Sequence, residues 1–80
     1  MRRISLESSL LASVLYLPKR RELELEFRSG QIYRYLGVPP QPYRELLAAP
    51  SKGGYYNSSI RNRFPFRQIS RPSSAQAGAV

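Results

Sequence analysis

The amino-acid sequence predicts an α+β domain, a three-stranded antiparallel meander followed by two short helices packed on its apolar face. Three observations lead there. Residues 22–27, ELELEF, alternate acid and apolar side chains without a break, the period-2 pattern of a strand with one buried face. The turn signal RSG separates that run from QIYRYL, a second stretch rich in strand formers. Past residue 40 the apolar spacing changes to three and four, in short segments bounded by prolines.

Residues 10–17, LLASVLYL, suit a first strand and end at PKRR, a loop of about four residues. In the second strand Leu23, Leu25 and Phe27 point to one face and Glu22, Glu24 and Glu26 to the other. The loop that follows decides where the third strand points, because a shift of one residue exchanges its two faces. A two-residue turn, Ser29-Gly30, would set Phe27 against Ile32 and Leu25 against Arg34. A three-residue loop, Arg28-Ser29-Gly30, with Gly30 left-handed as a bulge, sets Leu25 against Tyr33, Leu23 against Tyr35 and Glu24 against Arg34. The second register satisfies more side chains, with matched pairs contributing about 0.2–1 kcal/mol each. It predicts Tyr33 and Tyr35 as core residues, with their hydroxyls at the sheet margin or hydrogen-bonded.

GVPPQP extends neither strand nor helix. Tyr43, Leu46 and Leu47 then form the apolar face of a first helix, which Pro50 stops at Ala49. Ser51 is placed to cap a second helix that carries Gly53, Tyr56, Ile60 and Phe64 on one stripe and ends at Pro65. Lys52 and Arg63 flank one edge of the stripe and Arg61 the other. The expected bounds are a flexible N-terminus over 1–8, the domain over 9–66, and a disordered basic, Ser- and Ala-rich tail over 67–80, too poor in apolar residues to pack.

An 80-residue chain makes one domain and buries only about 60% of the surface its unfolded form exposes. With no cysteine and no histidine, neither disulfides nor a zinc site supplements packing. The opening MRRISLESSLLASVLYLP is interrupted by Glu7 and ended by Pro18, which argues against a secretory leader. The same run is too short to span a membrane. A cytoplasmic bacterial protein is expected. Thirteen Lys and Arg against five acids give a net charge of +8. All the acids precede residue 46, so the second half is purely basic and favours anionic partners such as nucleic acid.

Catalysis is not expected: the chain lacks the usual general base and the strongest nucleophiles, and no serine has a group to activate it. The three strand glutamates stand about 7 Å apart along one face. They are read as solvated, with Arg34 available to Glu24, and not as a metal or acid-base pair. No cofactor is implied.

The candidates for binding lie around the second helix. Lys52, Arg61, Arg63 and Arg67 are read as phosphate contacts and Tyr55 as a residue free to stack on a base. Four such contacts on one strand imply a log-log salt slope of about −3. Ser51, Gly53 and Gly54, at a helix start beside Lys52, form a candidate anion site, although a cap and close-packed glycines explain the same residues. A merely solvated basic face and a protein-binding module with an exposed sheet edge remain the competing readings.

The ordered set of SS at 8–9, Tyr16, LELEF, SG, Tyr33-Arg34-Tyr35, GVP, Tyr43, SKGGYYN, IRNRF and PF resembles the KTSC domain, over about residues 8 to 66. That family takes its name from the C-terminus of some lysyl-tRNA synthetases and also occurs as small stand-alone bacterial proteins. The resemblance implies a small accessory domain, and RNA binding by analogy with its attachment to synthetases.

Overall fold

A computed structural model of the chain describes residues 2–70. Its order is β1 (Ile4–Ser5), β2 (Leu11–Leu17), β3 (Glu22–Phe27), β4 (Ile32–Tyr35), α1 (Pro40–Ala48), α2 (Lys52–Ser59) and β5 (Phe66–Ser70). The strands form one five-stranded antiparallel sheet in sequential order, with both helices inserted between β4 and β5. The expected three-stranded meander is therefore its centre, flanked by a strand on either side. β1 lies within the stretch expected to be flexible, and β5 begins the stretch expected to be a tail. Short length hid β1; Pro65 and a weak alternation, FRQIS, hid β5. Residues 71–80 of the expected tail lie outside the described residues.

The turns fix the central register. Leu17 pairs with Glu22 across the four-residue PKRR turn, where Arg21 takes a left-handed φ of 53°. The Val38 N–H donates to the Arg21 carbonyl at 2.7 Å, helping to hold a conformation that costs a non-glycine residue about 1–2 kcal/mol. At the next turn Gly30 has φ 101°. Its N–H donates to the Phe27 carbonyl at 2.8 Å, and the Phe27 N–H donates to the Gln31 carbonyl at 2.9 Å. The resulting partners, Leu25 with Tyr33, Leu23 with Tyr35 and Glu24 with Arg34, are those of the bulged three-residue loop.

A second irregularity, between Leu11 and Ser13, solves a parity problem in β2. Leu11 and Val14 are three apart and would face opposite sides of a regular strand. An inserted residue brings both onto the face of Leu23 and Leu25, and all four are fully buried. Val38, Leu46 and Ile60 close that core from the helical side. Tyr43 of α1 stacks on Tyr16 with centroids 4.9 Å apart, while the Tyr16 hydroxyl donates to the Val38 carbonyl at 2.7 Å. Pro50 lies beyond the end of α1 as its sequence predicts, but the helix begins at Pro40 and so takes in Pro40-Gln41-Pro42, expected to lie outside any helix. Prolines are tolerated in a first turn, whose N–H groups have no partner within the helix.

Ser51 caps α2, its Oγ accepting from the Gly54 N–H at 3.1 Å. Gly53 packs against Leu10, just before β2, where a Cβ would make ordinary contact at 3.4 Å. The helix ends at Ser59, with Ile60 as its C-cap, short of the expected continuation to Phe64. KGGYYNSS is weak in helix propensity, and Pro65 pulls Phe64 away from helical geometry. The chain instead turns, with the Leu36 N–H donating to the Pro65 carbonyl at 2.9 Å, and enters β5 beside β4.

The sheet's other face is polar without being freely solvated. Glu24 is only 7% exposed, held by Arg34 at 3.1 Å and by Arg3 on its second oxygen. Ser13 accepts from Arg3 and donates to Glu26, both at 2.8 Å. Among the described residues no cluster of acids could hold a metal ion.

On the helix face the Tyr35 and Tyr56 hydroxyls meet at 2.5 Å. Burial, then the bond to Tyr56, drive Tyr35 well above the ordinary tyrosine range. A pKa raised in the folded state means that this contribution is complete below pH 10 and declines above it. Tyr35→Phe is expected to cost about 1–3 kcal/mol by stranding the Tyr56 hydroxyl, and Tyr35→Phe with Tyr56→Phe to cost less than the two singles together. Urea denaturation checks both; additive losses contradict the pairing. Wild-type stability should also decline more steeply than that of the double variant as pH rises above 10.

Candidate functional site

Where the β3–β4 turn, the start of β5 and the end of α2 converge, the surface opens into a cleft of about 480 Å³. Phe27, Tyr33, Tyr35, Tyr56 and Phe66 supply its aromatic lining; Gln31, Asn57, Arg61 and Asn62 supply its polar groups. The rings are coupled. Phe66 stacks on Tyr33 at 5.0 Å and lies tilted over Tyr35 at 5.4 Å. Phe27 meets Tyr33 and Tyr56 edge to face at 5.5 and 5.3 Å. Tyr35 and Tyr56 are buried, while Phe66 is 51% exposed and is the one exposed large apolar side chain among the described residues.

A second hollow, of about 450 Å³, lies alongside, bordered by Glu7, Ser8, Ser51, Lys52 and the two α2 glycines. Leu10 and Asn57 line both hollows, so the two form one groove along α2. Ser8 shapes its near bank: its Oγ accepts from the Leu10 and Leu11 N–H groups at 3.1 and 3.2 Å, and Arg28 donates to the Ser8 and Leu6 carbonyls.

The residues expected to contact nucleic acid separate into three places. Arg61 lines the aromatic cleft. Lys52 borders the adjoining hollow, with its Nζ donating to the Ala49 carbonyl at 2.9 Å. Tyr55 and Arg63 lie apart, lining a hollow of about 300 Å³ with Glu45. Tyr55 donates to Glu45 at 2.6 Å, and burial together with that bond pushes its hydroxyl up to about 12. A base-stacking role for Tyr55 is poorly served there, since the carboxylate at its tip repels a phosphate strand. Arg67 pairs with Arg34 across β4–β5, which puts it on the acidic face of the sheet, opposite the groove.

Of the expected anion site, Ser51 and the Gly54 N–H are bonded to each other and Gly53 is packed against Leu10. The Lys52 and Gly53 N–H groups remain as the open donors of the helix start. Of the tyrosine pair, Tyr35 is 1% exposed and belongs to the core. Tyr33 is half-buried, packs against the core and borders the cleft, its hydroxyl donating to Gln31 at 3.4 Å. Asn57 belongs to the YYN stretch that the sequence offers before Arg61 and Arg63, whereas Phe27, Gln31, Asn62 and Phe66 did not emerge from the sequence as site residues. The pairing of β5 with β4 creates this wall, and the only trace of it in sequence is the PF dipeptide that follows IRNRF.

The family model of the KTSC domain matches residues 7–64. A KTSC domain protein from Yersinia pestis, known from a crystal structure, superimposes with a TM-score of 0.83 at 36% identity, over 86% of this chain and 97% of that one. A protein of Stutzerimonas stutzeri is 47% identical over 61 residues, 76% of this chain and 86% of the relative. A lysine–tRNA ligase of Nostoc punctiforme is 41% identical over 64 residues, 80% of this chain but 11% of the ligase. The chain thus spans about a ninth of that relative's length.

Bonds from Tyr55, and then Gln41, hold the Glu45 carboxyl below its ordinary range. Tyr55→Phe removes the larger cause, so the Glu45 titration should move upward in pH while the fold is retained. Carboxyl-detected NMR across an acid titration measures this; an unmoved Glu45 contradicts the bond.

Proposed function

The chain belongs to the KTSC domain family, and on that premise we propose that it is a non-catalytic module that binds single-stranded RNA along the groove beside α2. The observation that carries the reading is the make-up of this groove. Aromatic rings and the exposed guanidinium of Arg61 share one half of it, with no acid among the residues lining that half, and Lys52 borders the other half together with Glu7, the one acid on the groove. Phosphates are drawn by Lys52 and Arg61, and stacking surfaces line the Arg61 half, the combination used to hold single strands with little sequence preference. The net charge of +8 adds long-range attraction. A matching stretch inside a protein named for tRNA is consistent with this role. Arg63 and Arg67, on other surfaces, contribute only to the general field.

A second reading has one observation behind it. Phe66 is exposed at the start of an edge strand, and such an edge can accept a strand from a protein partner.

Fluorescence anisotropy with a short labelled RNA at two salt concentrations separates the readings. Binding should weaken with a log-log slope of about −0.7 for each phosphate held, hence about −1.4 for Lys52 and Arg61. Arg61→Ala should weaken it further, while Arg67→Ala should have little effect. Absence of binding at low salt, or equal losses for the two variants, contradicts the proposal. Recovery of a specific protein partner that persists at high salt favours the alternative.

A further inference from the structure

We propose that the aromatic cleft is a pocket for one unpaired nucleobase, stacked on Phe66 and Tyr33 and read along its edge by the carboxamides of Gln31, Asn57 and Asn62. The inference rests on the RNA-binding reading for its biological ligand, but its chemistry can be tested without phosphate.

The cleft suits a flat, neutral, hydrogen-bonding ring. Its volume of about 480 Å³ falls within the range of about 300–1,000 Å³ typical of small-molecule sites. Phe66 and Tyr33 lie 22° from parallel, and Phe66 keeps half its surface open, so a planar ring can extend the stack. The two buried hydroxyls, of Tyr35 and Tyr56, satisfy each other. They leave the interior with an aromatic rather than a hydrogen-bonding character. The polar recognition comes from carboxamides, which carry both donors and acceptors and therefore match the mixed edge of a base. The Gln31 carbonyl oxygen already accepts from Tyr33, which assigns its NH₂ to the ligand. No acid lines the cleft, so nothing there opposes the phosphate that must accompany a nucleotide, and Arg61 is available to it.

The geometry also separates base capture from phosphate capture. Phe66 carries no charge and Arg61 no ring, so their substitutions should affect different properties. Phe66 is exposed, and replacing it with serine spares the fully buried core.

Two arms test the proposal. The first uses a short ribose-phosphate strand of abasic positions carrying a single 2-aminopurine, and a matched strand with an abasic position in its place. Wild-type protein should change the 2-aminopurine emission and bind the abasic RNA about tenfold more weakly, the scale of losing one base stack. Phe66→Ser should abolish both differences, while Arg61→Ala should weaken both RNAs alike. The second arm uses adenosine, which has no phosphate, and follows the side-chain amide resonances of Gln31, Asn57 and Asn62 by NMR. They should shift in the wild type and stay still in Phe66→Ser. If RNA binds with the expected salt dependence but the abasic RNA binds equally well, the base pocket is wrong and the RNA reading stands. If adenosine shifts the amides while no RNA binds at low salt, the pocket stands and the RNA reading fails. Silence in both arms, or shifts produced by a tyrosine-containing peptide and not by adenosine, overturns the pocket.

Discussion

Gly30 sets the hand of everything that follows it. At φ 101° it sits where L side chains are strained, and it gives the β3–β4 loop three residues instead of two. One residue fewer would rotate β4 by half a turn of its pleat, sending Tyr33 and Tyr35 to the acidic face and Arg34 into the core. With the bulge in place, Tyr35 pairs with Leu23 and Arg34 with Glu24. The two faces of the sheet then acquire separate chemistries: rings and aliphatics under the helices, alternating charges on the other side.

That separation is also why the groove takes its present form. β5 pairs with β4 in a register that sets Phe66 opposite Tyr35 and Gln68 opposite Tyr33, so the exposed ring inherits the helix-facing side from the tyrosines. Tyr56 of α2 reaches the same place from above and ties to Tyr35 through their hydroxyls. The aromatic part of the cleft is thus an extension of the core, while its polar groups come from the end of α2, the turn beyond it and Gln31 after the β3–β4 turn. Across the sheet, Glu24 is enclosed by Arg3 and Arg34. Charges that could have been loose surface groups instead hold the short β1 against the rest, at a site with little exposure to screening.

Much of this was legible in the sequence, and the reasons differ by element. ELELEF announces its faces because its alternation is unbroken, and the competing registers of YRY could be separated by counting matched pairs. Ser51 as a cap and Pro50 beyond the end of α1 act locally, so local patterns find them, whereas the first turn of α1 over Pro40-Gln41-Pro42 reads as a loop because proline signals a break more often than a helix start. β1 and β5 depend on partners far along the chain: two residues, or five with mixed polarity, carry too little pattern to compete with turn and tail signals. The same distance dependence explains the site. Lys52, Arg61, Arg63 and Arg67 look like one basic run in sequence, yet a helix that stops at Ser59 and a strand that restarts at Phe66 distribute them over three surfaces. Arg67 lands opposite Arg34 because strand alternation, not helical spacing, governs it. Asn62 and Phe66 carry no motif by themselves and come to line one cleft with Asn57 only when β5 is added to the sheet.

The proposed binding surface is the helix-facing groove and not the charged sheet face. Backbone amide mapping by NMR during titration with a short single-stranded RNA tests it most directly. The expected shifts gather at Gln31, Lys52, Asn57, Arg61, Asn62 and Phe66, with Glu24, Arg34 and Arg67 unmoved. Shifts centred on Arg34 and Arg67, or spread evenly over every basic residue, would contradict it.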